Sequence, residues 1–352
     1  MRLAGYVAAE ITIAAALLAG AATGGTFAVR RLRHVVAPHA LPAVEPLAAR
    51  DDMSSLGALR VSLESSGTFL GMSDELLLDR VRTQPIKRFK LNHGGSSISF
   101  RIDFADGSRA AWKPQQTNSQ TIPRKEVAAY RLNRLLGLNA VPPAAPRAVS
   151  RDELLSHLHP ESVEFLPRIQ AETIFGPDGK SLGTASYWIP VIKDSGFDKG
   201  EGQKQMQAWL TRGETIPPDQ LSMARQVSDL IVFDFLTCNP DRYSGGNMKM
   251  SPDGTELFYM DNTMSFFLEP QGKEKNRDVL FRTQRFSRSL YEALNRITEA
   301  TLQRALGSEA RAGYEILSQA EIGALIARRD VVKRYIGGLV AKYGNRETLY
   351  FP

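Results

Sequence analysis

The sequence predicts an α+β protein with two lobes, in which a strand-rich first half precedes a helix-rich second half. Residues 97–104 alternate apolar and polar side chains, as a half-buried strand does, and similar short runs flank them. The strongest helical pattern, at 219–237, comes only later, and the chain from about residue 277 onward is mostly helical in pattern. Strands followed by helices, rather than alternating with them, are typical of α+β folds, and a cleft is expected between two such lobes.

The composition indicates a folded protein that is stabilised without intramolecular disulfides or a multi-cysteine zinc site. The chain has 352 residues, of which 23% are charged, so it is long enough for a large domain and unlike a disordered chain. Its 44 basic and 38 acidic residues give a net charge of +6, which permits anionic partners without requiring nucleic acid. The single cysteine, Cys238, excludes an intramolecular disulfide framework and a multi-cysteine zinc site.

The first 36 residues are predicted to be a membrane anchor. Residues 11–29 carry no charge, and a mostly apolar run of this length is just sufficient to cross a bilayer as a helix. A cleaved signal peptide and a buried soluble helix are the alternatives. Basic residues are more numerous just after the span than before it, so the positive-inside rule places the rest of the chain on the cytoplasmic side. Residues 37–50, rich in proline and alanine, are predicted to be a linker.

The first lobe is predicted over residues 51–192. A short helix at 74–84 begins after Ser73, a favourable capping residue. Three antiparallel strands follow, at 89–91, 97–104 and 108–114. A glycine-bearing loop at 93–95 separates the first two strands, and a tight-turn sequence joins the second to the third.

A helix is predicted after these strands, from about Pro123 to Leu136. Thr121 is its expected N-terminal cap, and Gly137 suits its C-terminal stop. Two strand-like runs complete the lobe, at 162–169 and 185–192.

The second lobe is predicted over residues 193–352. It begins with a polar, exposed insertion at 194–220, which contains a short helix around 206–210. The helix at 219–237 ends in a predominantly apolar run and is therefore expected to be buried. A loop at 239–247 follows it, and two short strands come next, at 248–250 and 257–260.

Acidic and amide residues stand at the ends of these buried elements. Asp241 and Asn247 share the loop after the buried helix, and Asp261 ends the last strand. Such oxygens can bind Mg²⁺ or Mn²⁺ and still leave one carboxylate available for chemistry. The first lobe supplies Lys113 at a strand end and Glu126 in the next helix, and a lysine held by a helical glutamate can fix nucleotide phosphates.

Each of these residues alone has an ordinary structural interpretation, as a solvated charge, a helix-dipole partner, a surface ion pair or a turn. Their order is more specific than any one of them. A glycine loop, a strand lysine, a helix glutamate, a buried helix, an Asp…Asn loop and a strand-end aspartate follow one another as in a protein-kinase-like phosphotransferase.

The stretches SDLIVFDFLTCNPDRYSGGN and LFYMDNTMSF resemble the catalytic core of the atypical secretory-pathway kinases. That group includes the four-jointed kinase and the Golgi kinases that phosphorylate secreted proteins and proteoglycan xylose. The stretches WKP and RKEVAAYRLNRLLGLNAVPP are similar to the lysine strand and helix of the same group, and HipA-type kinases share the broad layout. The resemblance covers about residues 85–300 and implies a two-lobed protein-kinase-like fold.

The resemblance also implies roles for the residues of the second lobe. Asp241 matches the catalytic aspartate, whereas Asn247 and Asp261 match the metal-binding residues of the family. Tyr243 stands where the family usually has histidine, and Asp241 and Asn247 are one residue further apart than usual.

For the nucleotide, the resemblance implies a site in the first lobe. Lys113 matches the phosphate-binding lysine, and Glu126 is the candidate for its partner. Gly94, Gly95 and Ser96 are expected to form the loop that covers the nucleotide.

The leading hypothesis is a membrane-anchored, ATP-dependent kinase that uses Mg²⁺ or Mn²⁺ and phosphorylates a hydroxyl of a protein or glycan. A catalytically inactive kinase-fold scaffold that binds nucleotide is the alternative. Residues 80–134 contain twelve basic and three acidic residues, which suits either an anionic ligand or a solvated basic face. Nucleic acid is not an expected partner, because the basic region lacks a recognisable binding motif.

Overall fold

The structure is a computed structural model that describes residues 67–243, 246–311 and 314–352. These residues belong to one compact unit. The predicted membrane span at 11–29 and the predicted linker at 37–50 lie outside the described residues. Within the part of the chain that is described, no helix is both long enough and apolar enough to cross a membrane.

The described chain begins with its strand-rich part. The elements of that part are β1 (Thr68–Phe69), β2 (Met72–Ser73), α1 (Asp74–Thr83), β3 (Ile86–Leu91), β4 (Phe100–Phe104), β5 (Arg109–Lys113), α2 (Arg124–Leu135), β6 (Ala144–Ser150), α3 (Arg151–Ser156), a 3₁₀ helix (Pro160–Phe165), α4 (Leu166–Glu172) and β7 (Lys180–Tyr187).

The rest is mostly helical. Its elements are β8 (Lys193–Asp194), α5 (Gly200–Leu210), a 3₁₀ helix (Pro218–Gln220), α6 (Leu221–Thr237), β9 (Met248–Met250), β10 (Leu257–Tyr259), α7 (Glu274–Arg282), α8 (Arg288–Ala293), a 3₁₀ helix (Leu294–Arg296), α9 (Glu299–Gly307), α10 (Gln319–Tyr343) and α11 (Asn345–Thr348).

A five-stranded antiparallel sheet in the order β3-β4-β5-β7-β6 forms the core of the strand-rich part. Phe89, Phe100 and Trp112 pack against one another on its buried face, with ring centroids 5.7 to 6.0 Å apart. Strand β5 lies in the centre, where Lys113 is paired with Thr184 of β7. Central strands are the most rigid part of a sheet, so the end of β5 is a firm platform for a functional side chain.

Two local predictions for this part are wrong, and one strand was not predicted. The run at 162–169 forms a 3₁₀ helix and α4 instead of a strand, because prolines occupy the first turns of both helices and Val163 is 53% exposed. Thr121 does not cap α2, which begins without a side-chain cap. Strand β6 was not predicted; it pairs only with β7 and is an edge strand, a position in which Pro146 is tolerated.

The helical part is organised around α6, which is buried along most of its length, as its apolar pattern predicts. The strands β8, β9 and β10 form a small sheet beside it, and the β9–β10 hairpin brings Asp261 back towards the loop that follows α6. Helix α10 starts with a capping box between Ser318 and Glu321.

The helical part also holds helix α2 at both ends. Arg124 makes two hydrogen bonds, of 2.8 and 3.1 Å, to the carboxylate of Glu321 in α10. Arg131 and Arg82 both bind the fully buried carboxylate of Glu309, which follows α9. These ion pairs fix the position of α2, the helix that carries Glu126.

Candidate active site

Lys113 lies at the end of β5 between two carboxylates. Its ammonium nitrogen is 2.6 Å from Oδ1 of Asp261 and 3.3 Å from Oε1 of Glu126. Burial alone would lower the pKa of Lys113, but the two carboxylates outweigh burial and its pKa is raised. Burial would likewise raise the pKa of Asp261, but Lys113 outweighs it and the pKa is lowered. Lys113 is therefore cationic and Asp261 anionic at neutral pH.

Glu126 connects Lys113 to the chain that follows β10. Its Oε1 accepts a hydrogen bond of 3.0 Å from the backbone N–H of Asn262, and its Oε2 accepts one of 3.3 Å from the Asn262 amide. The side chain is 9% exposed. The carboxylate thus accepts three hydrogen bonds, counting the one from Lys113, and acts as a fixed brace for Lys113.

The start of α2 also forms hydrogen bonds with the segment after Asp261. The backbone N–H of Ile122 donates to the carbonyl of Thr263 at 3.3 Å, and the Lys125 ammonium donates to the carbonyl of Ser265. The Thr263 hydroxyl donates to Oδ1 of Asp261 at 2.8 Å. Asp261 has a φ of 50°, a left-handed conformation that aspartate tolerates better than most residues, and its side chain is 39% exposed. The Asp261 carboxylate is thus oriented by Lys113 of β5, by Thr263 and by the start of α2, which holds the segment that follows it. A ligand can still reach it.

Asp241 and Asn247 meet in the loop after α6. The Asn247 amide donates to Oδ2 of Asp241 at 3.0 Å and to its backbone carbonyl at 3.1 Å. Asn239 links this loop to Asp261, because its Oδ1 accepts from the Asp241 N–H at 2.9 Å and its Nδ2 donates to the Asp261 carbonyl at 3.4 Å. The backbone N–H of Met260 donates to the Asn247 carbonyl at 3.0 Å. The pair Lys113–Asp261 and the pair Asp241–Asn247 are therefore adjacent, so the four candidate residues lie in one region.

Arg242 fixes the backbone around these residues from beneath. It is fully buried, and its Nε lies 3.0 and 3.1 Å from the carboxylate oxygens of Asp234 in α6. Its other nitrogens donate to the carbonyls of Asn247 and Met260 and to Oδ1 of Asn262. Burial raises the pKa of Asp234 to about 6, although Arg242 opposes that rise. One guanidinium thus joins the ends of α6, the loop and the β9–β10 hairpin.

The two departures from the family pattern have visible consequences. The ring of Tyr243, where the family usually has histidine, is partly buried, and the Lys275 ammonium lies 5.6 Å from its centroid. Gly246 precedes Asn247 with a φ of 87°, which glycine adopts without strain. This glycine accommodates part of the longer Asp241–Asn247 spacing.

The predicted glycine loop joins β3 to β4. Gly94 has a φ of 107°, and Gly94, Gly95 and Ser96 are exposed. Arg168 of α4 donates to the Ser96 carbonyl at 2.9 Å and is held by Glu172, whose Oε1 lies 2.8 Å from its Nε. The contacts found for this loop are with α4 and the 3₁₀ helix before it rather than with Lys113. The loop thus connects β3 to β4, as predicted, and is held by Arg168 and Phe165, while its contact with a nucleotide stays a prediction.

The donor atoms fit a hard divalent cation. Asp261 and Asp241 offer carboxylate oxygens and Asn247 offers an amide oxygen, the ligand types that Mg²⁺ and Mn²⁺ prefer. Among the described residues no group of three or more His, Cys, Asp and Glu could hold a metal ion by itself. The metal would therefore need phosphate oxygens and water to complete its coordination, as is usual for Mg²⁺ at nucleotides.

Sequence reasoning missed three supporting residues, Asp234, Asn239 and Arg168. A signal existed for Asp234, because it is a charged residue inside the run 231–236, which is otherwise apolar. No local pattern points to Asn239 or Arg168, since their partners are distant in sequence or are backbone carbonyls.

Most of the basic residues of region 80–134 are neutralised inside the molecule. They pair with the carboxylates Asp74, Asp103, Glu161, Glu309 and Glu321 as well as with Asp261 and Glu126. The positive charge of this region therefore serves largely to hold elements together.

Comparison with known proteins gives matches in structure alone. No protein-family model matches the chain, and no curated protein sequence matches it. A crystal structure of the Golgi casein kinase superposes with a TM-score of 0.59 at 16% identity, covering 82% of this chain and 83% of that one. The Golgi casein kinase with Mn/ADP bound gives 0.60 at 15% identity, covering 86% of each chain. Hydra Fam20 with sugar gives 0.59 at 17% identity, covering 82% of this chain and 97% of that one.

These likenesses show the fold. The described chain has the architecture of the atypical secretory-pathway kinases, with a strand-rich part followed by a helical part, as the sequence predicts. The shared layout with HipA-type kinases stays a prediction.

Proposed function

We propose that the protein is an atypical kinase that transfers the γ-phosphate of ATP to a hydroxyl of a protein or glycan. The observation that supports this most directly is the contact of Lys113 with Glu126 and Asp261, which joins residues 13 and 148 positions apart in the sequence. The adjacent Asp241–Asn247 pair completes the set of groups that phosphoryl transfer requires. The fold of the Golgi casein kinase, one structure of which has Mn/ADP bound, adds independent support.

In the proposed reaction, each side chain has one task. Lys113, braced by Glu126, holds the phosphates that are not transferred. Asp261 and Asn247 would hold Mg²⁺ or Mn²⁺, which would supply charge neutralisation at the phosphates. Asp241 orients the acceptor hydroxyl and takes its proton as that oxygen bonds to phosphorus and ADP leaves.

Two substitutions separate these roles. Asp241→Asn keeps the shape of the side chain but cannot accept the proton, so nucleotide and metal binding should persist while transfer falls by roughly 10²–10⁴-fold. Asp261→Ala should abolish metal-dependent nucleotide binding and transfer together, because the phosphate charge is left uncompensated. The assay follows labelled phosphate from ATP into the protein itself and into protein and glycan acceptors. Full transfer by Asp241→Asn would refute its assignment as the catalytic base.

The second candidate function is a kinase-fold scaffold that binds nucleotide without catalysis. The 3.3 Å contact between Lys113 and Glu126 and the hydrogen bonds from Asn262 to Glu126 would serve nucleotide binding equally well. Nucleotide binding by the wild type with no transfer under either Mg²⁺ or Mn²⁺ would favour this function.

The cellular location belongs to the same proposal. Residues 11–29 are proposed to anchor the protein in a membrane with the kinase part in the cytoplasm, where ATP is available; the proposal is motivated by the basic residues that follow the span. A reporter fused after Pro352 should then be active inside the cell. A reporter that is active only outside the cytoplasm would contradict this orientation.

A further inference from the structure

A pocket lies beside the candidate active site, between the start of α2 and the segment after Asp261. Its volume is about 280 Å³, and Lys125, Thr263, Phe267 and Lys273 line it. Thr263 belongs to both sites, because its hydroxyl donates to Asp261 at 2.8 Å. Ser119 and Gln120, both exposed, contribute polar groups to its lining.

Positive charge in and around this pocket exceeds negative charge. The Lys125 side chain is 3% exposed, and the carboxylate nearest its ammonium group is that of Glu321, at 3.7 Å. That carboxylate is already bound at 2.8 and 3.1 Å by Arg124. Lys273 makes no ion pair with any residue in the described ranges. Arg124 and Lys125 thus share one carboxylate, and Lys273 adds a third positive charge next to the same pocket.

Both lysines lie beside the same aromatic ring, that of Phe267. The Lys125 ammonium lies 4.9 Å, and the Lys273 ammonium 3.5 Å, from the centroid of the Phe267 ring. Two cations near one ring repel each other, and the aromatic face offsets that repulsion only in part. A dianion bound in the pocket would compensate both positive charges and could accept hydrogen bonds from Lys273 and from the N–H groups that Lys125 does not donate to the Ser265 carbonyl.

We propose that this pocket binds a phosphate group, either as free phosphate or as a phosphate monoester. Two ammonium groups match the charge of a dianion, and the hydroxyl of Ser119 and the amide of Gln120 add donors that a phosphate with several oxygens can use. The bound group bridges α2 and the segment after Asp261. Because Lys125 is adjacent to Glu126 and Thr263 bonds to Asp261, occupancy of the pocket stabilises the arrangement of the active site.

The test uses the full chain without nucleotide or divalent metal. Inorganic phosphate is titrated by calorimetry, with sodium chloride keeping the ionic strength constant, since screening alone would weaken any charge effect. The wild type should bind phosphate saturably. Lys273→Gln should raise the dissociation constant about tenfold or more, whereas Lys204→Gln, an exposed lysine of α5 paired with Glu201, should leave it unchanged.

Two further variants separate this pocket from the nucleotide site. Ser119→Asp places a carboxylate at the pocket and should weaken phosphate binding. Lys113→Ala should retain it, because Lys113 does not line the pocket. The absence of saturable binding to the wild type, unchanged affinity in Lys273→Gln, or loss of binding in Lys113→Ala would each overturn the proposal.

The source of the phosphate is decided with O-phosphoserine as a second probe and serine as its control. Affinity for O-phosphoserine similar to that for inorganic phosphate assigns the pocket to a phosphorylated side chain. Binding of inorganic phosphate alone assigns it to the free ion. Equal binding of serine and O-phosphoserine would refute recognition of phosphate. None of these measurements involves phosphoryl transfer, so their outcome is independent of the proposed kinase activity.

Discussion

Lys113 and Asp261 depend on each other for their charge states. The pKa of Asp261 is lowered because Lys113 outweighs the effect of burial, and Glu126 lies within reach of the same ammonium group. Removal of the lysine leaves two carboxylates close together without a cation, and like charges disfavour ionisation. The effects of Lys113 substitution are therefore expected to extend beyond one lost phosphate contact.

Lys113→Ala should weaken binding of ADP with Mn²⁺ by at least about tenfold, since a charge-assisted hydrogen bond is lost. The loss should be greater at pH 6 than at pH 8, because the pKa of Asp261 rises when its cation is removed. Calorimetric titration at both pH values measures this. Lys90→Ala on β3, which removes a lysine paired with the exposed Glu161, is the matched control. Equal nucleotide affinity in the folded Lys113→Ala variant would exclude Lys113 from the site.

At the scale of loops and helices, the contact of Arg168 with the glycine loop is expected to affect nucleotide affinity. Arg168 binds the Ser96 carbonyl, and Glu172 orients Arg168 one turn further along α4. His93 adds an edge-to-face contact with Phe165 at 5.0 Å. A flexible glycine loop must lose backbone entropy to cover a nucleotide, and a brace that restricts it beforehand reduces that loss.

Arg168→Ala should therefore raise the dissociation constant for nucleotide by about three- to tenfold while changing thermal stability little, because the side chain is 37% exposed. Arg168→Lys should restore part of the affinity, since an ammonium can still reach one carbonyl. Arg151→Ala, which removes an exposed arginine stacked 4.7 Å from the Phe175 ring, serves as control. A fall in thermal stability that accounts for the whole loss of affinity would assign Arg168 a purely structural role.

The difference between α1 and α4 shows which elements a single sequence predicts. Helix α1 was predicted because its signals are local: the Ser73 side chain accepts from the N–H of Leu76 at 3.2 Å, and its apolar residues share a face. The run 162–169 has the β-branched and aromatic residues of a strand, but Pro167 starts a helical turn and its apolar residues do not form one buried face. A local pattern identifies a helix or strand correctly when its capping residues and its buried face indicate the same element. It gives the wrong element when they do not.

In the candidate site, local patterns identified single residues but not the contacts between residues that are far apart in the sequence. The residue types and their order predicted Lys113, Asp241, Asn247 and Asp261 as candidates, because strand and loop ends are readable locally. The position of α2 was not readable, since it depends on Glu309 and Glu321, which lie beyond the stretch that resembles known kinases. The C-terminal helices therefore set the geometry of the site through ion pairs that only the folded chain reveals.

For the molecule as a whole, a buried acid in α6, Asp229, contributes to how stability varies with pH. Asp229 has a 5% exposed side chain, and its nearest cation, Arg225, is 3.7 Å away. Oδ1 of Asp229 has no hydrogen-bond partner among the described residues. Burial raises the pKa of Asp229 from 3.8 to about 7, and Arg225 and Ser287 offset only part of that rise. The folded state thus holds a proton that the unfolded state has already lost between these two pH values.

The sign follows from proton linkage. Where the folded state binds more protons than the unfolded state, the free energy of unfolding falls as pH rises, so Asp229 contributes stability below about pH 4 that is lost by about pH 7. Asp229→Asn cannot ionise and avoids this loss. Its free energy of unfolding should match that of the wild type near pH 4, exceed it increasingly up to pH 7 and stay higher by up to about 4 kcal/mol above pH 7. Urea unfolding at pH 5, 6, 7 and 8 measures the difference, with the exposed Asp219→Asn as a control that should show none. A variant less stable than the wild type at pH 8 would mean that the ion pair with Arg225 outweighs the cost of burying the charge.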